Sequence, residues 1–90
     1  MRELREALYS GHVQGVGFRA TVQRIAARYA VAGYVRNLPD GRVQLVAEGE
    51  SQTVEEFLRA VTDAMDGYIR NAQVDVRQAS GNYGHFEIRV

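Results

Sequence analysis

The hydrophobic and polar positions along the chain follow two different periods, which together predict seven secondary-structure elements. Apolar residues recur at helical spacing in two segments, from Phe18 to near Ala30 and from Val54 to Met65. Around them, apolar and polar residues alternate with the period of two that is typical of strands. The predicted strands are residues 4–13, 31–36 and 42–48, the segment around Val74 and Val76, and residues 86–90. The predicted order is β-α-β-β-α-β-β.

Turn residues separate these elements. Gly11, Gly15 and Gly17 indicate a loop between the first strand and the first helix. The run from Asn37 to Gly41, with its Pro-Asp-Gly sequence, predicts a tight turn, so the second and third strands should form a hairpin.

The ends of the two helices carry weaker signals. Thr53 followed by Glu56 has the spacing of a capping box, which predicts the start of the second helix, and Gly67 predicts its end. Ala30 stands where a helix often ends on a left-handed residue. If Ala30 ends the helix in the left-handed conformation, we expect a conformational strain of about 1 kcal/mol.

Strands with one apolar face, together with two amphipathic helices, predict an α+β sandwich of one sheet and one helical layer. The simplest arrangement is the ferredoxin-like split βαβ fold, an antiparallel sheet of four to five strands with both helices on one face. A right-handed crossover makes the first two strands parallel. Residues 14–19 and Asn37 should therefore meet at one edge of the sheet.

Length and composition predict a single domain over residues 1–90, since the chain is 46% hydrophobic and 24% charged, with one proline. Its lack of cysteine excludes disulfides, thiolate metal sites and a cysteine nucleophile, and suits a reducing compartment. No apolar run has the roughly 18 residues of a membrane span, and the polar start is unlike a signal peptide. We therefore expect a cytoplasmic monomer without a membrane partner.

The distribution of charge is uneven, although the net charge is zero. All eleven basic residues are arginine, which excludes a lysine Schiff base but favours bidentate phosphate binding. From Ala7 to Pro39 there is no Asp or Glu, while four arginines lie there. Residues 7–39 should therefore attract anions. They cannot supply carboxylates for a metal or an acid/base pair, so we expect no metal and no cofactor.

The loop from Gly15 to Arg19 is the strongest candidate for chemistry. It leads into a helix whose first turn offers no Ser, Thr, Asp or Asn cap, so backbone N–H groups and Arg19 present uncompensated positive charge. A phosphate would satisfy both, with the glycines allowing close approach of the backbone. The alternative is a plain glycine-rich turn whose N–H groups are solvated.

Two other motifs fit this region less well. Gly15, Gly17 and Ala20 match the dinucleotide fingerprint, but that fold requires an acidic residue about 20 positions on, where this chain has Asn37. The RNA-recognition module shares the order of elements, but its aromatic residues belong on the third strand, where residues 42–46 offer none. We expect no nucleic-acid partner.

Residues 11–19 and 33–43, continuing to Gly49, resemble the two signature segments of the acylphosphatase family, and residues 86–90 resemble its closing strand. The resemblance implies a ferredoxin-like sheet and metal-free hydrolysis of acyl phosphates to a carboxylate and inorganic phosphate, which is both product and inhibitor. It implies that Asn37 holds the water. Arg19 and the backbone of the loop would hold the phosphate, through Gln14, Gly15, Val16, Gly17, Phe18 and Arg19.

Some alternatives remain open at the level of the sequence. The same fold could serve as a non-catalytic phosphate-binding module or as a surface for protein contact. Asn37 could act only in the turn, because asparagine commonly bonds the backbone there. His12 has no partner in the sequence pattern to make it a general base, and His85 is expected at the surface.

Overall fold

The computed structural model describes residues 1–90 and contains seven elements in the predicted order. The strands and helices are β1 (Arg2–Gly11), α1 (Phe18–Ala26), β2 (Ala32–Asn37), β3 (Val43–Glu50), α2 (Ser51–Ala64), β4 (Ile69–Gln78) and β5 (Phe86–Arg89). No helix combines the length and the apolar character that crossing a bilayer requires.

The five strands form one sheet in the order β4-β1-β3-β2-β5. The ferredoxin-like α+β fold is confirmed, with one difference in strand direction. The β4–β1, β1–β3 and β3–β2 pairings are antiparallel, whereas β5 runs parallel to β2, so the sheet is mixed. The connection after β4 carries the chain from one edge of the sheet to the other, where β5 forms the edge beside β2 and runs parallel to it.

The register of the sheet places the ends of β1 and β2 side by side. Val43, the first residue of β3, pairs with Tyr9 of β1 on one side and with Asn37 of β2 on the other. Since β1 and β2 are both antiparallel to β3, they run parallel to each other. The loop after β1 and the turn after β2 therefore emerge at the same edge, as predicted.

The core lies between the helices and one face of the sheet. A cluster of 16 buried apolar residues fills this layer, and α1 and α2 each contribute one face. The rings of Phe57 and Phe86 pack at 5.6 Å between centroids, which ties α2 to the edge strand β5. The largest buried apolar side chains are Tyr9, Phe18, Phe57, Leu45, Val13, Val22, Val35, Val43, Val54 and Val61.

The helix ends differ from two predictions. α1 ends at Ala26 rather than near Ala30, because the N–H groups of Arg28 and Tyr29 bond carbonyls three residues back and tighten the last turn. No residue other than glycine has a positive φ, so the predicted strain at Ala30 is wrong. The capping box at Thr53 is also wrong. α2 begins at Ser51 without a side-chain cap, and the N–H of Ser51 bonds the Met1 carbonyl at 2.9 Å.

A buried carboxylate fixes the connection between β4 and β5, which we define as residues 79–85. Glu48 of β3 is 1% exposed and lies on the face of the sheet opposite its core neighbour Ala47. It accepts hydrogen bonds from the N–H and Oγ of Ser80 at 2.7 and 2.9 Å, and from the N–H of Gly81 at 3.1 Å. Burial by itself would raise the pKa of Glu48, but these hydrogen bonds outweigh it and lower the pKa.

Candidate active site

The loop between β1 and α1 adopts a conformation that requires glycine. Gly15 and Gly17 have φ values of 78° and 77°, in the left-handed region. A Cβ at either position would meet no atom within 4 Å, so the backbone conformation rather than crowding calls for glycine. Gly17 is the N-cap of α1, and neither a side-chain cap nor an acidic residue accompanies it in the first turn. The predicted uncapped helix start is present.

The backbone of this loop carries a row of free donors. The N–H groups from Gln14 to Ala20 donate no hydrogen bond within the protein, and the first bond of the helix is the one from Thr21 to the Gly17 carbonyl, at 3.0 Å. The left-handed glycines alternate with their neighbours, which turns successive N–H groups toward one side of a loop. The loop therefore has the donor arrangement of an anion-binding site.

Side chains of this loop divide between the core and the solvent. Phe18 is 2% exposed and packs on Tyr9 with ring centroids 5.4 Å apart, and Val16 packs against the core cluster. These two side chains serve the core, while their backbone N–H groups remain free for a ligand. The guanidinium of Arg19 has no carboxylate partner, and its single hydrogen bond is to the Arg89 carbonyl at 3.4 Å. Arg19 is thus a free cation beside the free N–H groups.

Asn37 opens into the same cavity as Arg19. The cavity has a volume of about 250 Å³ and is lined by Val13, Gly15, Gly17, Phe18, Arg19, Ala20, Asn37 and Ile88. A second cavity of about 550 Å³ shares Arg19 and Asn37 and adds Arg36, Leu38, Pro39 and Val90. The structure thus brings together the loop, the arginine and the asparagine that the sequence singled out.

The turn after β2 is closed without the side chain of Asn37. The N–H of Leu38 bonds the Arg42 carbonyl at 2.8 Å, and the carboxylate of Asp40 accepts the Arg42 N–H at 3.0 Å and its Nε at 2.8 Å. The backbone hydrogen bond from Arg42, followed by its guanidinium, lowers the pKa of Asp40. The Asn37 amide makes no hydrogen bond with another protein group. The role of turn stabiliser therefore belongs to Asp40.

Gln14 behaves differently from its loop neighbours, in a way the sequence did not reveal. Its side-chain amide nitrogen donates to the carbonyls of Leu38 and Arg42, both at 2.9 Å. These partners lie 24 and 28 residues away, so no local pattern predicts the contact. Only the backbone N–H of Gln14 remains free for an anion.

The histidines lie outside this arrangement. The ring of His12 stacks edge-on against Tyr68 at 6.2 Å and has no carboxylate partner. His85 lies in the β4–β5 connection, is exposed as predicted, and has its Nε2 3.0 Å from the Glu87 carboxylate. No group of three or more His, Asp or Glu side chains is arranged to hold a metal ion.

The fold and the cavity define a small α+β protein with a loop of free N–H donors at the carboxyl end of its first strand. The chain belongs to the acylphosphatase family, whose model matches residues 5–88. It is 45% identical to an acylphosphatase of Methanospirillum hungatei, over 91% of each chain. It is 43% identical to an acylphosphatase of Archaeoglobus fulgidus, over 92% of this chain and 93% of the relative.

Solved structures give the same result at the level of the backbone. The crystal structure of acylphosphatase from Bacillus subtilis superimposes with a TM-score of 0.88, covers 100% of both chains and is 33% identical. The structure of an acylphosphatase from Coxiella burnetii gives a TM-score of 0.84 at 28% identity, covering 98% of this chain and 93% of the other. The resemblance inferred from residues 11–19 and 33–49 is confirmed.

Proposed function

We propose that the chain hydrolyses the carboxyl–phosphate bond of acyl phosphates, giving a carboxylate and inorganic phosphate, in the cavity that Arg19 and Asn37 share. The observation that carries this proposal is the meeting of three sets of polar groups at one cavity: the free N–H groups of the loop, the guanidinium of Arg19, which has no carboxylate partner, and the free amide of Asn37. The family membership and the relatives named acylphosphatase support the same activity.

The loop and Arg19 would hold the phosphoryl group. Free N–H groups at a helix start, with the positive end of the helix dipole behind them, favour an anion. Arg19 adds a full charge and a fork of donors that fits two phosphoryl oxygens. We assign phosphate binding to the backbone from Gln14 to Arg19 and to the Arg19 side chain. Inorganic phosphate would bind in the same place as product and inhibitor.

Asn37 would hold the attacking water. An amide has no basic nitrogen, but its oxygen can accept a hydrogen bond from the water and so aim the lone pair of the water at phosphorus. As the water oxygen bonds phosphorus, the bond to the acyl oxygen breaks and the carboxylate departs with the electron pair. The proton of the water passes to a phosphoryl oxygen. A carboxylate is a good leaving group at neutral pH, so alignment and charge stabilisation suffice without a general acid or a cofactor.

A non-catalytic phosphate-binding or protein-contact module is the second candidate. It is not favoured, because relatives that align over more than nine tenths of the chain are acylphosphatases and the cavity presents both Arg19 and Asn37. We further propose that the protein acts as a cytoplasmic monomer on a small-molecule substrate.

Release of phosphate from benzoyl phosphate in the presence of EDTA tests this function. We expect turnover with the chelator present and much slower release from p-nitrophenyl phosphate, whose ester oxygen is a poorer leaving group. Activity that appears only with added Mg²⁺, or equal rates on both substrates, would contradict the mechanism. Saturable phosphate binding without turnover would support the non-catalytic module.

A further inference from the structure

Gln14 forms the only hydrogen-bonded link between the loop of residues 12–17 and the turn of residues 37–42. Both links come from one atom, the side-chain amide nitrogen, which donates one hydrogen to the Leu38 carbonyl and the other to the Arg42 carbonyl. The loop carries the free N–H groups of the site, and the turn follows Asn37 directly. The loop and the turn that flank the site are therefore joined at this side chain, which itself lines neither cavity that Arg19 and Asn37 share.

The two carbonyls that Gln14 binds lie on either side of the turn. Leu38 follows Asn37, and Arg42 precedes Val43, the residue with which Asn37 pairs across the hairpin. The N–H of Leu38 bonds the Arg42 carbonyl, and the N–H of Gly41 bonds the Leu38 carbonyl at 3.1 Å, so each acceptor already holds the turn closed. A donor that binds both carbonyls fixes the position of the whole turn, and with it the position of Asn37.

The fold itself depends little on this contact. The hairpin is held by the β2–β3 ladder, which runs from Ala32 to Asn37, and β1 pairs with β3 up to Tyr9. Val13, beside Gln14, is fully buried in the core cluster and anchors the loop. Loss of the Gln14 amide would leave these contacts in place while freeing the loop and the turn to move relative to each other.

We propose that Gln14 is a positioning residue, whose side-chain amide sets the distance and angle between the phosphate-holding loop and the water-holding Asn37. This inference rests on the proposed function. It gives the side chain a role apart from the phosphate-binding role of its backbone: both amide hydrogens are already donated to carbonyls, and the remaining amide oxygen would repel a phosphoryl oxygen.

The first test is Gln14→Met, which keeps the length of the side chain and removes both donors. Misalignment of reacting groups by about 1 Å costs on the order of 10²-fold in rate, so we expect kcat on benzoyl phosphate to fall by about that factor. KM and the Ki of inorganic phosphate should stay within about twofold, because the loop and Arg19 still bind phosphate. The control is Gln44→Met in the same hairpin, where Gln44 also makes two side-chain hydrogen bonds, with Arg36 and Glu6.

Gln44→Met should lower the melting temperature as much as Gln14→Met while keeping kcat per folded molecule. The side-chain amide signal of Asn37 in NMR spectra gives a readout that does not depend on turnover. We expect it to shift or broaden in Gln14→Met and to stay unchanged in Gln44→Met.

Gln14→Glu provides a second variant and a pH profile. An ionised carboxylate cannot donate to the two carbonyls, whereas a protonated carboxyl can donate one hydrogen. The facing carbonyl dipoles raise the pKa of such a carboxyl. The ratio of its kcat to that of the wild type should therefore rise as the pH falls through this pKa. Taking the ratio removes the effect of charged groups that both proteins share, among them the nearby Asp40.

Three results would overturn the inference. The first is a Gln14→Met protein with the kcat and the Asn37 signal of the wild type. The second is a rise in phosphate Ki parallel to the fall in kcat, which would make the amide a phosphate ligand. The third is an equal loss of kcat per folded molecule in Gln44→Met. A wild type without acyl phosphate hydrolysis contradicts the proposed function instead, and the NMR comparison then still decides whether Gln14 positions Asn37.

Discussion

Arg19 lies in the first turn of α1, where the dipole of the helix disfavours a positive charge. A cation in the first turn of a helix lies at the positive end of the dipole, and no acidic residue of that turn compensates for it in α1. The guanidinium has no ion-pair partner elsewhere in the protein. A bound phosphoryl group removes this electrostatic conflict, which is why a residue unfavourable for the free helix is suited to the complex.

Arg19→Ala should therefore lose phosphate affinity and turnover together, with a fall in kcat/KM of about 10³-fold or more, as for other arginines that contact a transferring phosphoryl group. Arg19→Lys should restore little, because a single ammonium cannot make the bidentate contact. Inorganic phosphate should raise the Tm of the wild type by binding linkage and raise that of Arg19→Ala much less. Equal protection of both proteins would place the anion elsewhere.

Substitution of Asn37 should change the kinetic constants in a different way from substitution of Arg19. Because we assign it to the water, Asn37→Ala should lower kcat by about 10²-fold while phosphate Ki changes little. His12→Ala serves as the control, since His12 lies next to the loop without lining either cavity that Arg19 and Asn37 share, and it should keep most of its activity. If Asn37→Ala has a lower Tm but the kcat of the wild type, Asn37 stabilises the turn and does not position the water.

Residue-level prediction worked where the chemistry is local. The missing cap, the two glycines and the acid-free stretch around Arg19 are visible in the sequence, and they point to an anion. The contact of Gln14 was out of reach because its acceptors are backbone carbonyls 24 and 28 residues away, which have no side-chain signature. The free amide of Asn37 was equally hidden, since only the structure shows that Asp40 closes the turn.

At the scale of elements, hydropathy alone would predict that Glu48 is exposed, whereas it is buried. It continues the alternation of β3 as a polar residue, yet it is buried under the β4–β5 connection and bonded to Ser80 and Gly81. The start of α2 was missed for a similar reason: the acceptor for the Ser51 N–H is the carbonyl of Met1, which directly precedes β1. Both contacts join elements that are distant in sequence.

Glu48→Gln should lower the free energy of unfolding at neutral pH by about 1–3 kcal/mol, since a neutral amide replaces a charged acceptor of three donors. The pKa of Glu48 is lower in the folded than in the unfolded chain. Its stabilisation is therefore present above the unfolded pKa, near 4.3, and is lost as the pH falls through the folded pKa. Chemical denaturation across pH should show the two proteins converging in acid.

The matched control is Glu87→Gln, which removes an exposed carboxylate paired with Arg89 and His85. Exposed pairs contribute little, so this variant should stay within about 1 kcal/mol of the wild type. A Glu48→Gln protein as stable as Glu87→Gln at neutral pH would mean that the carboxylate does not anchor the β4–β5 connection.

At the scale of the molecule, the site is a consequence of topology. The crossover through α1 and the β2–β3 hairpin place β1 and β2 in parallel on either side of β3, so Val43 has Tyr9 and Asn37 as its two neighbours. The order of elements and the handedness rule predicted this meeting from the sequence. They did not predict the parallel β5, because the direction of an edge strand depends on the path of the connection that precedes it.

The central claim is that water held at Asn37 attacks phosphorus bound by the loop and Arg19. Turnover of benzoyl phosphate in water enriched in oxygen-18 tests it most directly, with mass analysis of both products and subtraction of the uncatalysed reaction. The account predicts one labelled oxygen in the inorganic phosphate and none in the benzoate. Label in the benzoate would mean attack at the carbonyl carbon and would contradict the account.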